Sequence, residues 1–212
     1  MNSTNYVKAA VLAFAFLASA AHAGPNLVVN GNFEADSMAN GNYGIFDSLT
    51  GWQATNQVEL RNNIAGRGET GPNYVELDAY QNSSISQLIP TSTGEGYRLS
   101  FAYAPREGVA ADSNGIQALW NNKVVRTMAK DGTSNVGNFW KIYYVNVIGG
   151  AGTSSLLSFN AIGKSDSYGG SLDTVKVFSA VPEPTTTGMM IAGLGMLAFV
   201  TRRKQTKNNL LG

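Results

Sequence analysis

Short segments of alternating polarity, separated by glycine-containing turns, occupy the middle of this sequence. In the segment 97–103, Tyr97, Leu99 and Phe101 alternate with polar or small residues, so one face of the segment is apolar. Turn signals such as Gly149-Gly150 separate such segments. The pattern predicts β-strands at 27–33, 75–77, 84–89, 97–103, 116–120, 140–147, 156–161 and 172–178.

Short strands with frequent turns predict an all-β fold, an antiparallel β-sandwich of jelly-roll type. No segment between residues 24 and 180 has the apolar repeat of a surface helix. A segment of this length is sufficient to bury a core between two sheets. The longer polar stretches 35–50 and 107–114 are expected to be loops at the rim, where binding residues tend to lie.

The N-terminus has the three parts of a secretory signal. Lys8 supplies a positive charge, residues 9–21 are apolar, and Ala21-His22-Ala23 is the small-x-small pattern that precedes cleavage. We therefore predict a signal helix at 1–23, with Gly24 as the first residue of the mature chain. A buried N-terminal helix is the alternative.

Two absences restrict the chemistry that residues 24–180 can perform. The chain has no cysteine, and its only histidine is His22, which the predicted cleavage removes. A Ser-His or Cys-His nucleophile pair and a zinc site of His or Cys ligands are thereby excluded. Residues 24–180 contain ten Lys or Arg and 13 Asp or Glu, a net charge of −3 without a basic run. Such a segment is a poor nucleic-acid binder, and calcium and neutral glycans are more plausible partners.

The C-terminus combines a Pro-Glu-Pro triplet, an apolar stretch and a basic cluster. Pro182, Glu183 and Pro184 precede the apolar residues 188–200, and Arg202, Arg203 and Lys204 follow them. A helix over 188–200 would be about 20 Å long, whereas a bilayer core is about 30 Å thick. The segment therefore predicts a short membrane helix that is held in the membrane temporarily and then cut. A permanent anchor is the alternative. Residues 205–212 form a polar tail.

This arrangement over 181–204 resembles the PEP-CTERM sorting signal of Gram-negative bacteria. The resemblance implies processing by an exosortase enzyme and cargo that is often linked to exopolysaccharide or biofilm matrix. We expect a protein exported to the cell surface or the extracellular matrix after a transient stage at the inner membrane.

Four residues are candidate ligand-binding residues. Trp120 lies beside Asn121 and Asn122 at a predicted turn, where its ring is either a sugar platform or part of the core. Arg106 follows Pro105 at the end of a predicted strand, and its guanidinium either bridges the rim or donates to a ligand. Tyr103, at the end of the predicted strand 97–103, and Asn114, the last residue of the predicted loop 107–114, complete the candidate set.

Asp173 begins the predicted strand 172–178. Strand alternation places it on the same face as Val175 and Val177, which is the buried side. A buried carboxylate must be hydrogen-bonded or metal-bound. Asp173 is therefore either a capping aspartate at the rim or a calcium ligand.

The middle of the chain resembles the galactose-binding-like jelly rolls of secreted bacterial and plant cell-wall proteins. The matching pieces are "NLVVNGNFE", "GW", "VEL", "NYVELDA", "ISQLIPT", "YRLSFAYAPREG" and "GGSLDTVKVF". The resemblance implies stacked antiparallel sheets whose first and last strands are close together. It also implies one structural Ca²⁺ held by Glu34 and Asp173, with carbonyl oxygens near Asn32 completing the shell.

The function expected from these features is non-enzymatic. We expect an exported protein whose β-sandwich binds exopolysaccharide or another glycan. A structural biofilm-matrix or adhesion protein without a sugar site is the alternative. A small glycosidase is less favoured, because no carboxylate pair is marked by the sequence.

Overall fold

The computed structural model describes residues 24–180, and every regular element in this range is a β-strand. The predictions of a signal helix at 1–23, of a membrane helix at 188–200 and of a polar tail at 205–212 lie outside the described residues. Within residues 24–180, no helix has the length and apolarity needed to cross a membrane. The strands are β1 (Tyr43–Leu49), β2 (Trp52–Asn62), β3 (Asn73–Glu76), β4 (Ser84–Pro90), β5 (Gly96–Ala104), β6 (Gly115–Trp120), β7 (Lys123–Met128), β8 (Lys141–Ile148), β9 (Ser154–Ile162) and β10 (Ser171–Ser179).

Hydrogen bonding connects the strands in the order β7-β6-β9-β4-β2-β3-β10-β5-β8, and β1 pairs with β2 outside this path. Every pairing is antiparallel. Antiparallel pairing suits a chain whose strands are joined by short turns, because parallel strands need long crossover connections.

Strand β2 passes from one layer of the sandwich to the other. Near its start Gln53 lies opposite Ser86 of β4, and near its end Arg61 lies opposite Tyr74 of β3. Between these pairings the φ angles of Asn56 and Gln57 are +65° and +56°, and this left-handed backbone bends the strand. The first layer therefore contains β7, β6, β9 and β4, and the second layer contains β3, β10, β5 and β8.

The core lies between the layers and is rich in aromatic rings. Phe101 of β5 meets Phe159 of β9 edge-on, with ring centroids 5.0 Å apart, and Trp52 lies 6.3 Å from Phe159. All of these side chains are fully buried. Burial of each contributes about 1.5–3 kcal/mol. The prediction of an all-β antiparallel sandwich is confirmed.

The N-terminal segment 27–33 was expected to be a strand and is instead a series of turns that runs beside β10. Leu27 N–H donates to the Val177 carbonyl at 2.9 Å, and Val175 N–H donates to the Gly31 carbonyl at 2.7 Å. Asn30 and Phe33 have φ of +50° and +59°, which prevents a continuous ladder. A Cβ at Gly31 would lie 2.0 Å from the Val175 carbonyl oxygen, so only glycine permits this approach. The two ends of the sandwich are therefore adjacent, as expected.

Three strands were not predicted from the sequence. Strand β1 lies within the stretch 35–50 that was expected to be a loop, and β2 and β7 were not assigned at all. The β1 residues are mostly half-buried or exposed without regular alternation, because β1 pairs with β2 alone. The predicted loop 107–114 is confirmed as part of the connection between β5 and β6.

Candidate functional site

Three loops emerge from the same end of the sandwich. The loop 77–83 follows β3, the loop 105–114 follows β5, and the loop 163–170 joins β9 to β10. Ser171 lies opposite both Glu76 and Ala104, and Gly115 lies opposite Ile162, so these strand ends are neighbours. Antiparallel pairing thus collects loops that are distant in sequence at one edge.

The three loops hold one another in place. Asn82 donates through its side-chain amide to the Gly163 carbonyl at 3.0 Å and through its backbone N–H to the Ser165 hydroxyl at 2.9 Å. The Ser113 hydroxyl donates to Asp166 Oδ2 at 2.8 Å. These hydrogen bonds give the loop end a defined shape.

Asn114 fixes the shape of the loop 105–114 from within. Its Oδ1 accepts a hydrogen bond from the Arg106 N–H, and its Nδ2 donates to the Val109 carbonyl, both at 2.8 Å. Its own carbonyl accepts a hydrogen bond from the Tyr103 hydroxyl, also at 2.8 Å. Asn114 is fully buried. Its side chain therefore organises the loop and does not reach the surface.

A cleft of about 490 Å³ lies between the loops 105–114 and 163–170. Its lining contains cations, carboxylates, one tyrosine and backbone groups. The lining residues are Arg61, Arg106, Glu107, Gly108, Val109, Ala110, Asp112, Ser113, Lys164, Asp166 and Tyr168.

A buried ion network supports Arg106 at this cleft. Glu76 is fully buried on β3 and accepts hydrogen bonds from Arg61 Nη1 at 2.8 Å and from Arg106 Nη1 at 2.5 Å. The Gly169 N–H also donates to Glu76 Oε1 at 2.9 Å. Glu59 adds a second carboxylate 3.0 Å from Arg61 Nε.

Burial sets the protonation behaviour of this network. It raises the pKa of Glu76 to about 7, and the Arg61 and Arg106 guanidinium groups oppose this rise. Burial also raises the pKa of Glu59, and again Arg61 opposes it. Because both oxygens of Glu76 are already engaged, its carboxylate acts as an anchor for the two arginines.

Tyr168 contributes an exposed aromatic ring to the cleft lining. Tyr168 is 47% exposed, and the Arg106 guanidinium stacks 4.6 Å from its ring centroid. Tyr80, on the adjacent loop 77–83, is 66% exposed. A cation on one ring face leaves the opposite face of Tyr168 available for a ligand.

The sequence-based candidates occupy different environments. Arg106 lines the cleft, whereas Tyr103 is only 1% exposed and Asn114 is fully buried. Trp120 is 5% exposed, its Nε1–H donates to the Ile148 carbonyl at 2.7 Å, and its ring lies 6.5 Å from that of Tyr97. The prediction of ligand-facing side chains is corrected for Tyr103, Asn114 and Trp120, because each is enclosed by the core or a loop.

The cleft residues Arg61, Lys164, Asp166 and Tyr168 were missed. Arg61 lies on a strand that was not assigned, and Tyr168 belongs to a segment read only as a turn. The available signal was the grouping of charged residues with a tyrosine in a glycine-rich turn, which is unusual for a purely connecting segment.

Asp173 faces away from the core between the layers, contrary to the alternation argument. Strand β10 has a register shift between Asp173 and Lys176, and Thr174 has a φ of +50°. Asp173 therefore lies opposite Ala102, whereas Val177 lies opposite Leu99. Positions 99 and 102 are on opposite faces of β5. The β-bulge reverses the side on which Asp173 lies.

Asp173 is nevertheless fully buried, because the loop 63–72 covers it. Its Oδ2 accepts a hydrogen bond from the Thr70 N–H at 2.9 Å, and its Oδ1 accepts one from the Thr174 N–H at 2.6 Å. Burial raises the pKa of Asp173 to about 7, the backbone N–H groups of Thr70, Thr174 and Glu69 oppose the rise, and the Glu69 carboxylate adds to it. No Lys or Arg of residues 24–180 forms an ion pair with Asp173.

Glu34 reaches the same loop from the N-terminal segment. Its Oε1 accepts a hydrogen bond from the Asn73 N–H at 2.8 Å. Glu69 Oε2 accepts one from the Thr174 hydroxyl at 2.5 Å. Asn32 lines a hollow of about 300 Å³ together with Thr70 and Thr174. Within the described range, no three acidic side chains are grouped closely enough to hold a metal unaided.

A protein-family comparison identifies the C-terminal signal. The PEP-CTERM protein-sorting motif matches residues 180–204, which include Pro182, Glu183, Pro184, Arg202, Arg203 and Lys204. The resemblance drawn from the sequence is confirmed. The motif begins directly after β10, which ends at Ser179. It indicates an exported protein that is sorted to the cell surface.

Curated relatives include two multifunctional-autoprocessing repeats-in-toxin proteins. The one from Vibrio vulnificus is 33% identical over 156 residues, and the one from Vibrio cholerae serotype O1 is 33% identical over 157 residues. Each match covers 71% of this chain and 3% of the relative. The chain thus spans 3% of the length of the curated relatives it matches.

Solved structures that are similar to this chain include an adhesin domain and carbohydrate-binding modules. The K1 cleaved adhesin domain of Lys-gingipain from Porphyromonas gingivalis has a TM-score of 0.50 and 12% identity, covering 66% of this chain and 98% of that domain. A family 35 carbohydrate-binding module from Clostridium thermocellum has a TM-score of 0.43 and 19% identity, covering 66% and 99%. The CBM22-1 xylan-binding domain from Paenibacillus barcinonensis has a TM-score of 0.44 and 16% identity, covering 76% and 97%.

Proposed function

We propose that this protein is delivered to the cell surface or extracellular matrix and that its β-sandwich binds carbohydrate in the cleft. The observation that carries the proposal is the lining of the cleft, where paired hydrogen-bond donors and acceptors lie beside the exposed ring of Tyr168. Carbohydrates combine hydroxyl groups with apolar ring faces, and this lining offers a partner for each.

The donors and acceptors of the cleft suit hydroxyl groups. Within residues 24–180, Arg106 donates hydrogen bonds through Nη1 and its backbone N–H, so Nε and Nη2 remain for a ligand. Lys164 and Asp112 form an exposed ion pair of 2.6 Å at the rim. Charge-assisted hydrogen bonds from such groups are stronger than neutral ones.

The charges along the cleft favour a neutral glycan. Its cations, Arg61, Arg106 and Lys164, are met by the carboxylates of Glu107, Asp112 and Asp166 in the lining and by the buried Glu59 and Glu76. A lining without excess positive charge gives no net attraction for a polyanion. We expect the affinity for a neutral polysaccharide to change little with salt.

The same geometry supports binding rather than hydrolysis. Glu76 has a pKa raised to about 7, which would suit a general acid. Both of its oxygens, however, accept hydrogen bonds from arginines, and the side chain is fully buried. Incubation with matrix polysaccharides should give binding without release of reducing sugar. Sugar release would favour the glycosidase alternative.

Tyr168 and Tyr144 form a matched pair for testing the cleft. Both are about half exposed, and each lies under an arginine, Arg106 at 4.6 Å and Arg98 at 4.7 Å. Only Tyr168 lies at the cleft. We expect Tyr168→Ala to weaken glycan binding by about 1–3 kcal/mol, at least a five-fold loss of affinity, because a stacking surface is removed.

Tyr144→Ala, on the outer face of β8, should leave the affinity unchanged. Isothermal titration calorimetry with the glycan that a glycan array identifies measures both variants. Equal losses would place the binding surface on the sheet and not in the cleft. Binding of no glycan at all, together with self-association, would favour the structural matrix protein.

We further propose that an exosortase-type enzyme of a Gram-negative bacterium processes the tail after a transient stage at the inner membrane. The match of residues 180–204 to the PEP-CTERM protein-sorting motif supports this proposal.

A structural calcium ion is proposed for the acidic site under the loop 63–72. Among residues 24–180, the buried Asp173 has no cationic partner, and Glu69 and Glu34 contact the same loop or its flanks. A cation would neutralise these carboxylates, and hydroxyl or carbonyl oxygens near Asn32 and Thr174 would add ligands of the kind that calcium prefers. Glu34 and Asp173 would be its carboxylate ligands.

Removal of calcium should destabilise the sandwich. We expect EDTA to lower the melting temperature by several degrees, because a ligand that binds the folded state alone stabilises it. Glu34→Gln should abolish most of this difference, whereas Asp131→Asn, on an exposed loop, should retain it. Differential scanning calorimetry with and without EDTA measures the effect. Superimposable curves for the unaltered protein would argue against a bound metal.

A further inference from the structure

The outer face of the first layer has an unusual composition. On β4, Ile85 and Ile89 point into the core, so Ser84, Ser86, Leu88 and Pro90 point outward. Their partners on β9 are Asn160, Ser158, Leu156 and Ser154. None of these outward positions carries a charge.

The outward side chains of the adjacent strands β6 and β7 are uncharged as well. Gln117 lies opposite both Asn160 and Thr127, and Leu119 lies opposite both Ser158 and Val124. The nearby Arg126 lies opposite Ala118 instead and stacks 5.1 Å from the ring of Tyr143, away from this face. Across four strands, the outward side chains are thus serine, amide, threonine and aliphatic residues.

An apolar band crosses this uncharged face. Leu88 is 67% exposed and is directly opposite Leu156. Val124 is 51% exposed and is directly opposite Leu119. Leu119 lies opposite Ser158, two residues from Leu156 on β9, so the two apolar pairs are diagonal neighbours on this face. Leucine and valine rows of this kind are rarely left to water without a partner.

We propose that this face is the contact surface between two copies of this chain. Residues 24–180 have a net charge of −3, so identical copies repel one another in general. The uncharged face is where that repulsion is smallest. A band of paired apolar residues also meets the requirement of a two-fold interface, in which one patch must complement itself.

The outer face of the second layer differs from this face because it carries charged residues. That face also has exposed apolar residues, including Tyr144 and Ile148. It carries in addition Arg98 and Lys176, which lie opposite Phe178 and Ser100 on neighbouring strands. Two copies packed through it would bring like charges together.

The size of the uncharged face predicts weak association. Four strands about 4.8 Å apart and about 23 Å long present roughly 450 Å², against about 800 Å² per partner in a standard interface. The dimer should therefore form mainly at the high local concentration of a cell surface or matrix. The cleft lies at the loop end, outside this face, so a dimer presents two clefts and gains avidity for a repeating ligand.

The absence of cysteine from the chain allows a direct test in the full-length protein. A single Leu88→Cys substitution should give a covalent dimer under mild oxidation of exporting cells, seen on a non-reducing gel. Asn146→Cys, exposed on the second layer, is the control and should give about ten-fold less dimer. Equal yields from the two positions, or no dimer from Leu88→Cys, would overturn the proposal. The latter would point to a glycan or another protein as the occupant.

Opposite charges provide a second, independent test. Two differently tagged full-length chains that both carry Leu88→Asp, co-expressed and chemically cross-linked on the exporting cells, where the local concentration is high, should not co-purify, because identical charges meet at the interface. A chain with Leu88→Asp and a chain with Leu88→Arg should co-purify at least as well as the unaltered pair. Leu88 is exposed, so neither substitution should affect folding. Failure of the opposite pair to associate would exclude this contact surface.

Discussion

Replacement of Glu76 with alanine is expected to lower the free energy of unfolding by about 3–5 kcal/mol, because it leaves Arg106 without its carboxylate partner and Arg61 with Glu59 alone. Arg61 is only 6% exposed, and the Arg106 side chain is 19% exposed. Water therefore cannot replace the lost carboxylate fully. Urea denaturation monitored by tryptophan fluorescence measures the change.

Two variants separate the charge of Glu76 from other effects. Glu76→Gln keeps the volume and removes the charge, and it should lose less stability than the alanine variant, because burial raises the pKa of Glu76 to about 7 and so favours the neutral form. Glu95→Ala removes an exposed carboxylate at the opposite end of β5 and should change stability by less than about 0.5 kcal/mol. If Glu76→Ala behaved like Glu95→Ala, the network would contribute nothing to folding, and its role would be confined to positioning Arg106.

Replacement of Asn114 with alanine is the second large effect that we expect. The Arg106 N–H and the Val109 carbonyl each lose a hydrogen-bond partner in a partly buried site. The combined cost should be about 2–4 kcal/mol, since each unsatisfied group costs about 1–3 kcal/mol. The variant should also bind glycan more weakly, although Asn114 does not line the cleft, because the loop that positions Arg106 is released.

Hydrogen exchange distinguishes this loop effect from general destabilisation. In Asn114→Ala, amides in the segment 105–113 should exchange faster than those of the central strand β5. Asn146→Ala, on the exposed side of β8, serves as the control and should alter neither stability nor exchange. Uniform acceleration along the whole chain would show that Asn114 supports the core and not the loop in particular.

Most of the strand content was predictable because strand formation leaves a local signal. Strand β5 alternates apolar and polar or small residues, and its bounds, Gly96–Ala104, closely enclose the predicted segment 97–103. Strand β1 carries no such signal, because it pairs at an edge and buries little. The segment 27–33 carries the apolar signal of a strand, yet its turns at Asn30 and Phe33 depend on how it runs beside β10.

The location of the candidate site was predictable from the sequence, but most of the residues that line it were not. The loop 107–114 was correctly placed at the rim, and Arg106 lines the cleft. Asn114 and Tyr103 lie in the same region, but they face inward and support the loop. Sequence reasoning located them near the site without indicating the direction of their side chains.

The sequence by itself determined the all-β class, the exclusion of histidine and cysteine chemistry from residues 24–180, and the sorting motif at 180–204. Each of these depends on composition or on a pattern within a few neighbouring residues. The tertiary structure alone decided that Asp173 faces away from the core, because one bulge in β10 changes which sheet face the alternate side chains occupy on its two sides. It also decided that Arg61, Arg106 and Tyr168 meet at one cleft. Such contacts join strands that are far apart in sequence, and their geometry depends on register, which no local pattern encodes.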